Sequence, residues 1–180
     1  MRYNAVSLSG LPGSGKNVLT EILSKKLDWT SFSAGDSWRT LYAERHPRGE
    51  ISFEEFFKQI SLQDNLNMDL KMKQLLEEGE VIVDSRYSAL YAGDSPVLKI
   101  FLTADLSLRT DRAFDVCKYS GKSARQISEL LKERERNEVE LGRLMYDGVD
   151  FREAVYDLIL DSGHLTPSQE ASIIVHRIKG

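Results

Sequence analysis

The sequence is poor in the features that mark a membrane protein, a secreted protein or a protein that grips nucleic acid. One cysteine, Cys117, occurs in 180 residues, so an intramolecular disulfide and a CxxC metal motif are both excluded. That fits a reducing compartment, with Cys117 read as a plain helical thiol. No apolar run approaches the ~20 residues of a membrane span, and the opening MRYNAVSLSG lacks an apolar signal segment. The expectation is a cytoplasmic protein with no membrane partner. Positive charge is also scarce: 24 Lys and Arg against 28 Asp and Glu leave a net charge of −4. A broad basic surface for nucleic acid is therefore not expected, and any anion site must be local. Neither a repeat nor a low-complexity linker divides the chain, so residues 1–180 are expected to form one domain, a monomer.

What is present is an alternation of short apolar runs with helical patterns. The run Ala5 to Leu8 reaches Gly10 and precedes a helical pattern from about Lys16 to Leu27. Further strands are expected at Thr30 to Ser33, Val81 to Val83, Val97 to Leu102 and Leu158 to Leu160. Asp36 is placed to accept backbone N–H groups at the start of a helix carrying Trp38. Ser52 with Glu55, and Ser123 with Gln126, have capping-box spacing, and Thr166-Pro167 opens a last helix. Leu66 to Leu76 repeats apolar residues at helical intervals through Leu70, Met72 and Leu75, and Gly79 should end that helix. The pattern predicts an α/β fold with about five parallel strands flanked by helices, its ligands beyond the carboxyl ends of the strands.

The sharpest motif is Gly10-Leu11-Pro12-Gly13-Ser14-Gly15-Lys16, lying between the first strand and the first helix. A G-x-x-x-x-G-K loop in that context cradles phosphate. Its glycines let successive N–H groups converge, the helix N-terminus adds partial positive charge, and Lys16 adds a full one. The motif usually closes with Ser or Thr, whose hydroxyl binds Mg²⁺, but here Asn17 follows, then Val18. The Asn17 carbonyl oxygen is still a hard neutral ligand, so altered metal affinity is expected, with phosphate binding kept. Asp84, just after Val81-Ile82-Val83, is the second metal candidate, with a strand-end cap as the alternative.

Phosphoryl transfer needs positive charge around the transferred group. Arg39, three residues after Asp36, and Arg86, just past Asp84, are placed to reach the ligand edge of the sheet, although a lone Arg is more often a solvated surface residue. The run Lys132-Glu133-Arg134-Glu135-Arg136-Asn137-Glu138 is either a surface helix laced by ion pairs or a lid that brings Arg134 over the phosphates. Tyr87 and Trp38 are aromatic candidates for stacking on a base, with core filling the commoner role.

In their order along the chain these motifs resemble the short, archaeal-type cytidylate kinases. Gly10 to Lys16 is similar to their phosphate loop, Ser33-Ala34-Gly35-Asp36 with Arg39 to their acceptor-helix entry, and Asp84-Ser85-Arg86 to the Asp-Gly-Arg element after the central strand. Lys99 to Ala104, with Arg109 and Arg112 beyond, resembles the next strand and helix, and Tyr156 to Asp161 the closing strand. The resemblance implies a P-loop nucleoside monophosphate kinase fold, with an acceptor-binding segment over about 34–78 and a lid over about 119–147. It implies MgATP as donor and CMP or dCMP as acceptor. Ser33, Asp36, Arg39, Asp84, Arg86, Arg112, Arg134 and Glu138 would then line the substrate site, with Glu138 accepting from the cytosine amino group.

The chain departs from that family at two positions. A second lid arginine is expected where Leu141 stands. Arg143 lies roughly 200° further around a helix and could replace it only if the helix breaks near Gly142; Arg136 is the other candidate. Since Asn17 and Leu141 both fall on groups serving the transferred phosphate, two alternatives stay open: a kinase for another acceptor such as AMP or UMP, and a nucleotide-binding regulator with weakened catalysis.

Overall fold

The computed structural model describes residues 2–93, 95–114 and 119–180; Cys117 lies outside them. Five strands, β1 (Ala5–Gly10), β2 (Thr30–Ser33), β3 (Val81–Asp84), β4 (Val97–Thr103) and β5 (Leu158–Asp161), form one sheet in the order β2-β3-β1-β4-β5. All pairings are parallel. The helices are α1 (Lys16–Leu27), α2 (Ala34–Arg45), α3 (Phe53–Lys58), α4 (Leu62–Glu78), α5 (Leu106–Phe114), α6 (Ala124–Met145) and α7 (Pro167–Lys179).

β1 is buried along its whole length, as the central strand of a sheet covered on both faces must be. Because successive side chains point to opposite faces, Val6 and Leu8 join Leu19 and Leu23 of α1 and Ala171, Ile174 and Ile178 of α7 on one side. Ala5 joins Met72 and Leu76 of α4, with Val81 and Val83, on the other. A third cluster forms where Tyr87, Phe101, Val139 and Phe151 meet above the carboxyl edge of the sheet. Each fully buried Leu or Ile stabilises the fold by about 1.5–3 kcal/mol.

The expected caps at Ser52, Ser123 and Thr166 are all formed as capping boxes. Two local expectations are corrected. Ser33, not Asp36, caps α2, its Oγ accepting from Asp36 N, because the helix already begins at Ala34. The helix opened by Ser52 closes at Lys58, and a new one starts under a Ser61 cap. On that second helix Leu66 and Leu70 are 44% and 64% exposed while Met72 and Leu76 are buried, so the apolar repeat read there belongs to two faces.

β1 ends where Gly10 turns away at φ 149°. A Cβ at this position would run into the Leu102 carbonyl, which also accepts from Leu11 N at 3.1 Å. Glycine is therefore required for the chain to leave the sheet and enter the loop ahead of α1.

Candidate functional site

The loop after β1 curls back on itself. Lys16, the first residue of α1, is 7% exposed, and its Nζ donates to the carbonyls of Gly10 at 3.1 Å and Leu11 at 3.4 Å. Burial, and next the charge of Arg86, pull its pKa down to about 7. Ser14 Oγ, in the same loop, is buried without a hydrogen-bond partner among the described residues.

Arg86 leaves the carboxyl end of β3, and its backbone is held in place by Ser9 of β1, whose Oγ donates to Arg86 O at 2.9 Å. Its guanidinium makes a two-pronged contact with Glu138 of α6: Nε to Oε2 at 2.6 Å and Nη2 to Oε1 at 3.2 Å. Arg134, one turn earlier on α6, donates from Nε to Glu138 Oε1 at 2.9 Å. Burial alone would raise the Glu138 pKa, but the charges of Arg86 and Arg134 outweigh it and hold the carboxyl below its ordinary range. Asp84, buried at the end of β3, and Glu138 both act on Lys16 electrostatically, as do Arg86 and Arg134.

Five of the residues singled out in the sequence thus converge above the loop: Lys16, Asp84, Arg86, Arg134 and Glu138. Arg39 does not join them. It donates from Nε to Asp36 at 3.2 Å, on an exposed face of α2, an arrangement worth little in itself and easily exchanged for another anion. Ser33 stands beside Asp84 in the β2–β3 register.

Both oxygens of Glu138, the residue expected to accept from a cytosine amino group, accept from arginines here. The replacement suggested for the missing lid arginine is not made. α6 runs unbroken through Gly142 to Met145, which leaves Arg143 3.6 Å from Asp150 and Arg136 exposed. Tyr87 and Trp38 are core residues: Tyr87 packs on Tyr146 and Phe151, and Trp38 on Phe57.

Arg112 lies against the loop and the end of β5, donating to Ser14 O at 2.9 Å and to Ser162 O at 2.8 Å. Several partners went unread in the sequence. Arg109 bridges Pro12 O and Glu135 of α6, and Arg152 joins Glu135 to Asp150. Tyr146 ties the end of α6 to Asp69 on α4. Ser7 and Ser9, also unread, did carry a signal: they are polar positions in an otherwise apolar central strand, and both fasten the segment after β3.

The Mg²⁺ expected from the sequence prefers one or two hard oxygen ligands from the protein and takes the rest from phosphate and water. The Asp84 carboxylate, close to Lys16, and the exposed Asn17 amide on the first turn of α1 match that donor chemistry. Among the described residues no group of three or more His, Cys, Asp or Glu forms a denser metal site.

A parallel sheet in this order, with a glycine loop and buried lysine at the end of β1, defines a P-loop kinase fold. A shikimate kinase from Bacteroides thetaiotaomicron has that fold: its TM-score is 0.61 at 13% identity, over 98% of both chains. An uncharacterized protein from Eubacterium ventriosum matches with a TM-score of 0.72 at 13% identity, again over 98% of both. At such identities the likeness is one of fold. The sequence goes further. Residues 35–164 match the family model of the cytidylate kinase-like family, and the cytidylate kinase of Methanopyrus kandleri is 30% identical over 183 residues, covering 94% of this chain and 90% of its own. The chain belongs to the cytidylate kinase-like family. No helix among the described residues is long and apolar enough to cross a membrane.

Proposed function

We propose that the protein is an ATP-dependent nucleoside monophosphate kinase that transfers the γ-phosphoryl group of ATP to CMP or dCMP, giving CDP or dCDP. The observation that carries this reading is the gathering of Lys16, Arg86 and Arg134 over a phosphate loop, with one acidic residue, Asp84, at the adjoining strand end. Membership of the cytidylate kinase-like family supports the cytosine acceptor.

In this scheme the loop from Gly10 to Val18 holds the donor phosphates, and Lys16 lies against their charge. Arg39 and Arg86 hold the acceptor phosphate, with Ser33 and Asp36 beside it and Arg112 behind the donor loop, against Ser14 O. An oxygen of that phosphate attacks the γ-phosphorus in line, the bond to the bridging oxygen breaks, and ADP leaves with the electron pair, with no covalent phosphoenzyme. Arg134 approaches the transferred group from α6, so 119–147 acts as the lid and 34–78 as the acceptor segment of a single domain. When bound, Mg²⁺ would neutralise charge on the donor phosphates, with Asn17 and Asp84 as its protein ligands. Glu138 occupies the two arginines in the absence of substrate, and an incoming phosphate competes with it for them.

A second reading, an acceptor other than a cytosine nucleotide, is favoured by one observation: the Glu138 carboxylate is turned to arginines and not left free for a base. A coupled assay with CMP, dCMP, UMP and AMP separates the two. Preference for CMP and dCMP is expected, and equal turnover of AMP would overturn the cytosine assignment.

A further inference from the structure

Two carbonyls of the phosphate loop are clamped from outside. Arg109 Nη1 donates to Pro12 O at 3.2 Å, and Arg112 Nη1 donates to Ser14 O at 2.9 Å. Ser162 Oγ adds a second donor to Ser14 O at 3.0 Å. Each guanidinium is itself anchored. Arg109 is 6% exposed and also donates to Ala104 O at 3.0 Å and Glu135 at 3.3 Å. Arg112 donates to Ser162 Oγ at 2.7 Å and to Ser162 O at 2.8 Å.

All peptide bonds among the described residues are trans, and in a planar trans peptide the C=O and the following N–H point in opposite directions. Fixing Pro12 O towards Arg109 therefore aims the Gly13 N–H away from α5, and fixing Ser14 O towards Arg112 does the same for Gly15. Among the described residues neither N–H meets an acceptor. Both glycines sit at positive φ, 80° and 102°, in a region that glycine leaves as easily as it enters. The loop sequence thus permits the inward orientation but does not enforce it; the enforcement comes from α5. Contact is close enough for this, since a Cβ on Gly13 would lie 3.2 Å from the Arg109 Cβ.

We propose that Arg109 and Arg112 are positioning residues that hold the loop's amide donors towards the donor triphosphate without touching it. Donors oriented before the ligand arrives bind a polyanion with no reorganisation at the moment of transfer. Arg109 has the further effect of tying the loop to the lid helix through Glu135, so one buried charge serves both. This inference rests on the loop being a triphosphate site, as proposed above.

Calorimetric titration with sodium tripolyphosphate, and separately with adenosine, tests it on wild type, Arg109→Lys, Arg112→Lys and Ser162→Ala. Wild type is expected to bind tripolyphosphate. Each arginine variant should bind it about tenfold or more weakly, the scale of one charge-assisted hydrogen bond, with adenosine binding unchanged. In turnover, KM for ATP should rise while KM for the acceptor stays constant. If an arginine variant does not fold, Ser162→Ala, which removes one donor on Ser14 O and no charge, should still show severalfold weaker binding. It should also give smaller tripolyphosphate-induced NMR shifts at the Gly15 amide. Folded variants that bind tripolyphosphate like wild type would overturn the inference, as would loss of adenosine binding in Arg112→Lys, which would mean direct contact with the nucleotide. Failure of wild type to bind tripolyphosphate would instead overturn the reading of the loop.

Discussion

The Tyr87 hydroxyl occupies the space that a side chain on Gly142 would need, and it donates to the Glu138 carbonyl at 2.9 Å. α6 lies flush on the residue next to Arg86 for that reason. Gly142→Ala should gain about 0.5–1 kcal/mol of helix propensity but lose about 1–3 kcal/mol through overpacking against a buried ring. Overpacking wins because Tyr87 is buried and packed against Tyr146 and Phe151. A lower urea midpoint is expected, together with reduced turnover as the Arg86 loop shifts. A raised midpoint would contradict the packing described.

Glu138→Gln keeps the shape of the side chain and removes its charge. Arg86 and Arg134 would then stand beside Lys16 with their shared counter-charge gone. Loss of charge-assisted hydrogen bonds should cost about 1.5–3 kcal/mol of stability, and added sulfate should restore part of it by occupying the same arginines. Orthophosphate and ATP should bind the variant more tightly than wild type, since no carboxylate has to be displaced. Equal anion affinity in the two proteins would mean that Glu138 does not compete at this site.

The sequence revealed most of the scaffold because local signals agreed with tertiary ones. Strand runs were bounded by glycine loops, and three capping boxes marked helix starts that the structure has. Lys16, Asp84 and Arg86 were legible because they sit at fixed offsets from strand ends, where a parallel sheet concentrates its ligand contacts. The partners of Glu138 were not. Arg86 lies 52 residues away from it, and the two meet only through the way α6 seats on Tyr87. The same holds for Arg109 and Arg112: helix spacing puts them on one side of α5, but only the packing of α5 against the loop directs them to carbonyl oxygens. On α4, periodicity alone did not separate the face that covers the sheet from the exposed face of Leu66 and Leu70.

The pH dependence of donor binding follows from Lys16. Its pKa falls from 10.5 to about 7 in the folded protein, chiefly through burial. Between those values the unfolded chain binds a proton that the folded chain releases, so raising the pH across that window favours folding as far as this group is concerned. Phosphate binding has the opposite dependence, because a polyanion selects the protonated amine. ATP affinity should therefore fall by up to about tenfold per pH unit above pH 7, and binding at pH 8 should take up a proton. Calorimetry in buffers of different ionisation enthalpy measures that uptake directly, and Lys16→Met should abolish it. Binding at pH 8 with no proton uptake would place Lys16 away from the phosphates.

Asn17 offers the last test, because it stands where the loop motif usually provides a hydroxyl. The residue is exposed on the first turn of α1, so replacing it disturbs little packing. Threonine brings its oxygen one bond closer to the backbone and can ligate Mg²⁺ at short range. Asn17→Thr should lower the Mg²⁺ concentration for half-maximal ATP binding and turnover by about two- to tenfold, the equivalent of one modest polar contact. Asn17→Ala should raise it if the amide is itself a ligand, and Asp84→Asn should raise it further by removing the one charged ligand of the pair. The two Asn17 variants should bind tripolyphosphate in the absence of metal much as wild type does, since neither changes the charges around Lys16. If Asn17→Thr and Asn17→Ala both leave the metal titration where wild type has it, the helix start at Asn17 lies outside the metal's reach, and Asp84 alone would have to serve it.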